Sequence, residues 1–207
     1  MPTIHWVTIY WLFNPVNGHI FGGVSMHFDK PGKHNTRPVL ESAYERALTL
    51  GINEIVVAST KGDTAYMVHD IFKGCSITVV TYHCGFREPF KRVMDDEVRS
   101  DLIAKDMTVI SATHALSGVE RAVAKKHGGI YPALLIADTL RLFGQGVKVA
   151  VEISIMASDA GALTGEDIIS IGGTARGADA ALVIKPANQS DLFSMQIREI
   201  ICKPRTF

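Results

Sequence analysis

The sequence is poor in the features that would narrow its function quickly. Among 207 residues there are three cysteines, Cys75, Cys84 and Cys202, widely spaced and without a CxxC pair. That argues against a disulfide framework or a structural zinc site and fits a reducing cytoplasm. There is no excess of either charge. Lys+Arg and Asp+Glu balance at 21 each, so the basic excess of a general nucleic-acid binder is missing. No apolar run reaches membrane-crossing length, and there is no charge block, low-complexity tract or internal repeat. What remains is a chain 47% hydrophobic and 20% charged, enough for one α/β domain with a real core and short for two.

The stretch that organises the rest is 55–65, Ile55-Val56-Val57-Ala58-Ser59-Thr60-Lys61-Gly62-Asp63-Thr64-Ala65. Its first half is apolar, β-branched and of strand length. Its second half is a polar loop in which Gly62 lets the backbone turn and the Thr64 hydroxyl can cap a helix starting nearby. A strand, a glycine turn and a helix N-terminus together make a ready anion site, most often for phosphate. The plainer reading is a capped helix start that binds only water.

The segment 1–23 is apolar and aromatic, then broken by Asn14-Pro15 and Asn17-Gly18. It lacks the basic start and cleavage site of a signal peptide. It reads as an N-terminal extension: an edge strand, an interaction arm, or sequence upstream of a start at Met26. The α/β domain then occupies 24–207. A short strand is expected over 24–28. Asn35 or Thr36 caps a helix whose core face is Val39, Ala43, Ala47 and Leu50, ended by Gly51.

Past the central loop, strands are expected over 77–82, 107–110 and 167–171, with helices over 65–72, 117–126 and 132–143 and one from Pro89 to about Ala104. The run 147–159 is β-branched like a strand but long like a helix, and a helix is preferred because a parallel crossover needs one. Two further strands, 180–184 and 193–201, follow without a helix between them and predict an antiparallel edge. The fold class is therefore α/β, a three-layer α/β/α arrangement on a mostly parallel, mixed sheet. Ligands of such sheets bind beyond the carboxyl ends of the strands. The polar loops at Ser59, His83, Thr113 and Gly172 should converge there.

These loops recur together in a known family. The segments at 57–65 (Val57-Ala58-Ser59-Thr60-Lys61-Gly62-Asp63-Thr64-Ala65), 113–121, 151–153 and 172–180, with the ending 198–205, resemble stand-alone prokaryotic proteins similar to the pyruvate kinase carboxyl-terminal (alpha/beta) domain. The resemblance covers roughly 26–205. It implies that the 59–64 loop matches the turn that holds an effector phosphate in pyruvate kinase. It also implies flavin mononucleotide (FMN) as a bound cofactor, and it does not imply pyruvate kinase activity, whose chemistry lies in a barrel domain absent from this sequence.

The residues expected to bind the cofactor are Asn35 and Thr36 before the first long helix, and Ser59, Thr60, Lys61, Gly62, Asp63 and Thr64 in the central loop. His83, His114, Glu120 and Arg121 follow, and then Gly172, Gly173, Thr174, Arg176 and Asp179 in the late glycine-rich segment. His114 reads either as a hydrogen-bond donor or general acid/base, or as a helix-entry residue paired with Glu120. Glu152, a carboxylate inside an apolar run, must be paired or hydrogen-bonded, to a loop N–H, to Arg176 or to a ligand. No metal site is expected. The partner is a phosphorylated small molecule rather than nucleic acid or membrane, with a homo-oligomer as a further expectation, and the location is cytoplasmic. Two functions stand: a flavoprotein in which FMN does redox chemistry, or a non-catalytic sensor of a sugar phosphate or similar metabolite.

Overall fold

A computed structural model describes residues 26–174 and 177–207. The readings made for the segment 1–23 and for Arg176 lie outside the described residues. Seven strands form one sheet: β1 (Met26–Phe28), β2 (Glu54–Ala58), β3 (Ser76–Thr81), β4 (Thr108–Ser111), β5 (Ile168–Thr174), β6 (Gly177–Lys185) and β7 (Gln196–Pro204). Their order is β1-β7-β6-β5-β2-β3-β4. β5, β2, β3 and β4 run parallel to one another, while β6 is antiparallel to both β5 and β7. β1 adds outside β7 in parallel register, Met26 opposite Cys202.

The central strands are buried on both faces, and strand alternation divides their side chains between two cores. Ile55, Val57, Ile169, Ile171, Ala181 and Val183 face one side. Val56, Ile168, Ala180, Leu182 and Ile184 face the other. The first core is covered by α1 (Thr36–Leu50), α2 (Asp63–Ile71) and α3 (Asp96–Ala104), through residues such as Val39, Leu40, Val68 and Leu102. The second is covered by α6 (Gln145–Asp159), with α5 (Pro132–Arg141) behind it and α4 (Gly118–His127) leading in. The run 147–159 is thus a helix, and Gly146 through Ala157 are buried except for half-buried Val149, as expected of a largely apolar helix enclosed in the core.

Four sequence readings change. The helix expected from Pro89 opens only at Asp96; Asp95, extended, precedes it, and Asp96 and Glu97 suit the positive end of its first turn. Leu50, assigned to the core face of α1, is 44% exposed, because the helix has reached the rim of the core at its last residue. The strand expected from Phe193 starts at Gln196, after a 3-10 turn over Gln189–Ser194. Residues 172–174 and 177–179, read as a loop beyond a strand, are paired strand instead: Gly173 pairs with Ala178 and Thr174 with Gly177. Gly172 is needed there for another reason. A Cβ on it would lie 2.6 Å from the backbone N of Ala150, so only glycine lets α6 settle onto β5.

Candidate functional site

The β2, β3 and β5 strands end on one rim, where α1, α2 and α6 begin. Between them lies a cleft of about 690 Å³. Its floor is formed by strand ends, Ala58, Val80 and Thr81. One wall is the β2–α2 turn, with Ser59, Thr60, Lys61, Asp63 and Thr64. The opposite wall is the face of α6 carrying Gln145, Val149, Glu152, Ile153 and Met156. The entry to α1 supplies Lys33, His34, Thr36 and Arg37, and the end of β5 and start of β6 supply Gly173, Thr174 and Gly177.

The β2–α2 turn is tied down at both ends. The Ser59 N–H donates to the Val80 carbonyl at 3.0 Å, and the Thr81 hydroxyl donates to the Thr60 carbonyl at 3.1 Å. Gly62 stands at the helix N-cap position with φ 103°, a conformation that disfavours any side chain. Thr64 is not the capping residue. It already lies inside the first turn of α2, and the hydroxyl of buried Ser59 accepts the Ala65 N–H at 3.3 Å instead. The remaining N–H groups of the first turn have no carbonyl four residues back to bond, and Lys61 stands exposed beside them.

Across the cleft, Glu152 and Lys148 on α6 form a buried ion pair, with side chains 3% and 4% exposed. Burial pulls the Lys148 ammonium below its ordinary pKa, and the neighbouring carboxylate opposes that fall. Glu152 also accepts the Leu116 N–H at 3.1 Å. It therefore holds the β4–α4 loop, which fits one of the roles read from the sequence. Its cationic partner is Lys148, which the sequence reading did not single out, although the two stand one helical turn apart.

That loop presents His114 to the cleft. Burial lowers the pKa of His114, the Glu152 carboxylate opposes the shift, and Lys148, His83 and Arg121 add to it. Its ring lies 5.5 Å from Tyr82, 5.2 Å from Phe86 and 5.4 Å from His83. Tyr82 and Phe86 are stacked at 4.0 Å with their planes 4° apart. Of these rings Tyr82 and His114 line the cleft, with Phe86 and His83 packed against them.

Of the residues singled out from sequence, Thr36, Ser59, Thr60, Lys61, Asp63, Thr64, His114, Gly173 and Thr174 line this one cleft. Others lie off its walls. Asn35 donates its side-chain amide to the Lys30 carbonyl at 2.7 Å, Gly62 packs on Val98 and Tyr66, and Gly172 packs on α6. His83 holds the Cys84 carbonyl at 2.8 Å. Glu120 is not paired with His114: it accepts the Ala133 N–H at 2.9 Å and so caps α5, while Arg121 is exposed on α4. Asp179 is buried against Gly146 in the first turn of α6. Thr174's hydroxyl and N–H face its carboxylate, but neither closes a hydrogen bond of good geometry, and burial pushes its pKa up to about 6.

Sequence reasoning missed Lys33, His34, Arg37, Tyr82, Arg87 and Gln145, all of which line the cleft. The signal for the first three was their position just before and within the first turn of a helix already recognised. Among the described lining residues, the cations Lys33, Arg37, Lys61 and Arg87 outnumber the carboxylates Asp63 and Glu152, so the cleft favours an anion.

Comparison with known proteins finds a family that matches most of the chain. The family described as "Pyruvate kinase, alpha/beta domain" matches residues 37–184. Among solved structures, a pyruvate kinase from Cryptosporidium parvum aligns at 14% identity with a TM-score of 0.38, covering 72% of this chain and 22% of that one. A Cryptosporidium parvum pyruvate kinase in complex with ADP aligns at 16% identity with a TM-score of 0.35, covering 70% and 22%. The chain therefore spans about a fifth of the length of these enzymes.

Proposed function

This chain belongs to the pyruvate kinase alpha/beta domain family, and on that premise we propose that it binds a phosphorylated small molecule, foremost FMN, at the carboxyl rim of its sheet. The observation that carries this reading is the β2–α2 turn. Its Ser59–Ala65 bond fixes the helix start, Gly62 turns the chain, and Lys61 and Thr64 line the cleft into which the turn opens. A phosphate gains there from the helix N-terminus and from a charged hydrogen bond.

The residues present fit a flavin. The rings of Tyr82, backed by stacked Phe86, and of His114 line the cleft and would meet an aromatic ring system there. FMN would supply redox chemistry; the chain supplies position and polarity. His114, held below its ordinary pKa, is largely neutral at pH 7 and suited to exchanging a proton or hydrogen bond with the ring. The same reading takes the chain as a stand-alone prokaryotic version of the domain, cytoplasmic, without pyruvate kinase activity, and self-associating rather than bound to nucleic acid or membrane. Among the described residues no helix is long and apolar enough to cross a membrane.

One observation favours a second reading, a non-catalytic sensor of a sugar phosphate: Thr60, Thr81, Thr174, Asp63 and Glu152 give the cleft many groups that match sugar hydroxyls. Mass spectrometry and absorbance of the purified protein separate the two. A yellow protein that releases FMN on denaturation supports the flavin. A colourless protein carrying or stabilised by a sugar phosphate supports the sensor, and one that binds neither overturns both.

A further inference from the structure

Three helices start at the cleft, and two of the starts are compensated. α2 has the Ser59 hydroxyl on one of its first-turn N–H groups and Asp63 in that turn. α6 has the buried carboxylate of Asp179 against Gly146. α1 has neither: no acidic residue stands in its first turn, and among the described residues no side chain caps it, since Asn35 at the N-cap position spends its amide on the Lys30 carbonyl. The Thr36 N–H donates to the Lys33 carbonyl and residue 38 is a proline, so side chains rather than main-chain donors are what this start offers. Instead Lys33 and His34 precede it in a 3-10 turn, and Arg37 is its second residue. Cations at the positive end of a 15-residue helix are unfavourable unless an anion joins them.

A second observation points the same way. Thr36, the first residue of α1, lines the cleft and is 4% exposed, and among the described residues its buried Oγ1 has no hydrogen-bond partner. Such a group is costly to leave unmade. The hydroxyl faces Gly177, where any Cβ would collide with it, so glycine at 177 lets β6 approach the start of α1 closely.

We propose that the start of α1 is a second anion site in the cleft, in which the side chains of Lys33, Thr36 and Arg37 hold a phosphate or carboxylate group separate from the one at the β2–α2 turn. It rests on the reading that this cleft is the binding site. The ligand then carries a second anionic group, or binds together with an anionic partner molecule.

Equilibrium dialysis with radiolabelled inorganic phosphate tests it. The expected stoichiometry is two phosphates on the wild type and one on each of two double variants, Lys33→Ala/Thr36→Val and Lys61→Ala/Thr64→Val. A single phosphate that survives Lys33→Ala/Thr36→Val and is lost in Lys61→Ala/Thr64→Val overturns the second site and leaves the first. A single phosphate with the reverse pattern upholds the α1 site and removes the β2–α2 turn from the reading above. No phosphate on any form overturns both. Thr36→Val alone should leave the melting temperature of the ligand-free protein unchanged or raised, since it removes an unpartnered hydroxyl. A lower melting temperature would mean that the hydroxyl has a structural partner and would overturn its assignment to the site.

Discussion

The hydroxyl of Ser59, just past the end of β2, accepts the Ala65 N–H of α2 at 3.3 Å. One hydrogen bond thus joins the central strand to the helix whose start forms a wall of the cleft. Ser59 is 4% exposed, so its removal leaves an N–H that water reaches poorly. Ser59→Ala should cost about 0.5–2 kcal/mol, the usual worth of a helix cap. Chemical denaturation of the two proteins measures it. A loss below that range would mean that the helix start is held by the Gly62 turn alone.

The Lys148–Glu152 pair should behave as a unit. Lys148→Met leaves a buried carboxylate without its cation and should destabilise by about 3–5 kcal/mol. Adding Glu152→Gln should restore much of that loss, because a neutral glutamine still accepts the Leu116 N–H. A double variant as unstable as the sum of the two singles would show that the pair is not coupled.

Asp179 sets a pH dependence whose sign can be stated. Its pKa rises from the model-peptide value of 3.8 to about 6 in the folded protein because it is buried. The folded state therefore binds a proton more tightly than the unfolded state. The stabilisation is fully present below pH 3.8 and is lost as pH rises through about 6. The whole difference amounts to about 3 kcal/mol. Asp179→Asn should remove this dependence between pH 4 and pH 6 and leave the protein more stable than wild type at pH 7. Denaturation series at several pH values check it, and parallel curves for the two proteins would contradict it.

His114 acts in the opposite direction. Its folded pKa lies below the ordinary 6.5, chiefly through burial. The stability it contributes is present above 6.5 and falls as pH drops through the folded value. A nuclear magnetic resonance titration should place its midpoint below 6.5. Glu152→Gln should lower that midpoint further, since the carboxylate favours the protonated ring. A rise in the variant would contradict the direction of this coupling.

The sheet was legible because its strands are short β-branched runs broken by glycine and polar loops, and the central turn was legible because strand, glycine and helix follow one another within 55–65. The cleft was legible only in part. Loops that follow parallel strands converge by topology, so Ser59, His114 and Gly173 could be brought together in advance. Gln145, Val149 and Glu152 lie on a crossover helix, and which face it turns inward depends on the contact of Gly172 with the backbone near Ala150. By spacing, Thr64 is the hydroxyl nearest the helix start and so reads as the cap; Ser59 reaches the same turn across the loop, a distance in space that spacing alone does not give. Pro89 reads as a helix start because proline suits a first turn, yet the chain from 83 to 95 forms a loop in which Phe90 has φ 63°. The paired residues 172–174 and 177–179 read as a loop because of their glycines, which are there for close backbone approach.

The most direct test of the central claim is a calorimetric titration of FMN into the wild-type protein and into Lys61→Ala and Thr64→Ala. The expected result is one bound FMN, with each substitution weakening it by about 1.5–3 kcal/mol, the worth of a charged hydrogen bond. FMN binding of equal strength in all three proteins would contradict the claim that the β2–α2 turn holds the phosphate.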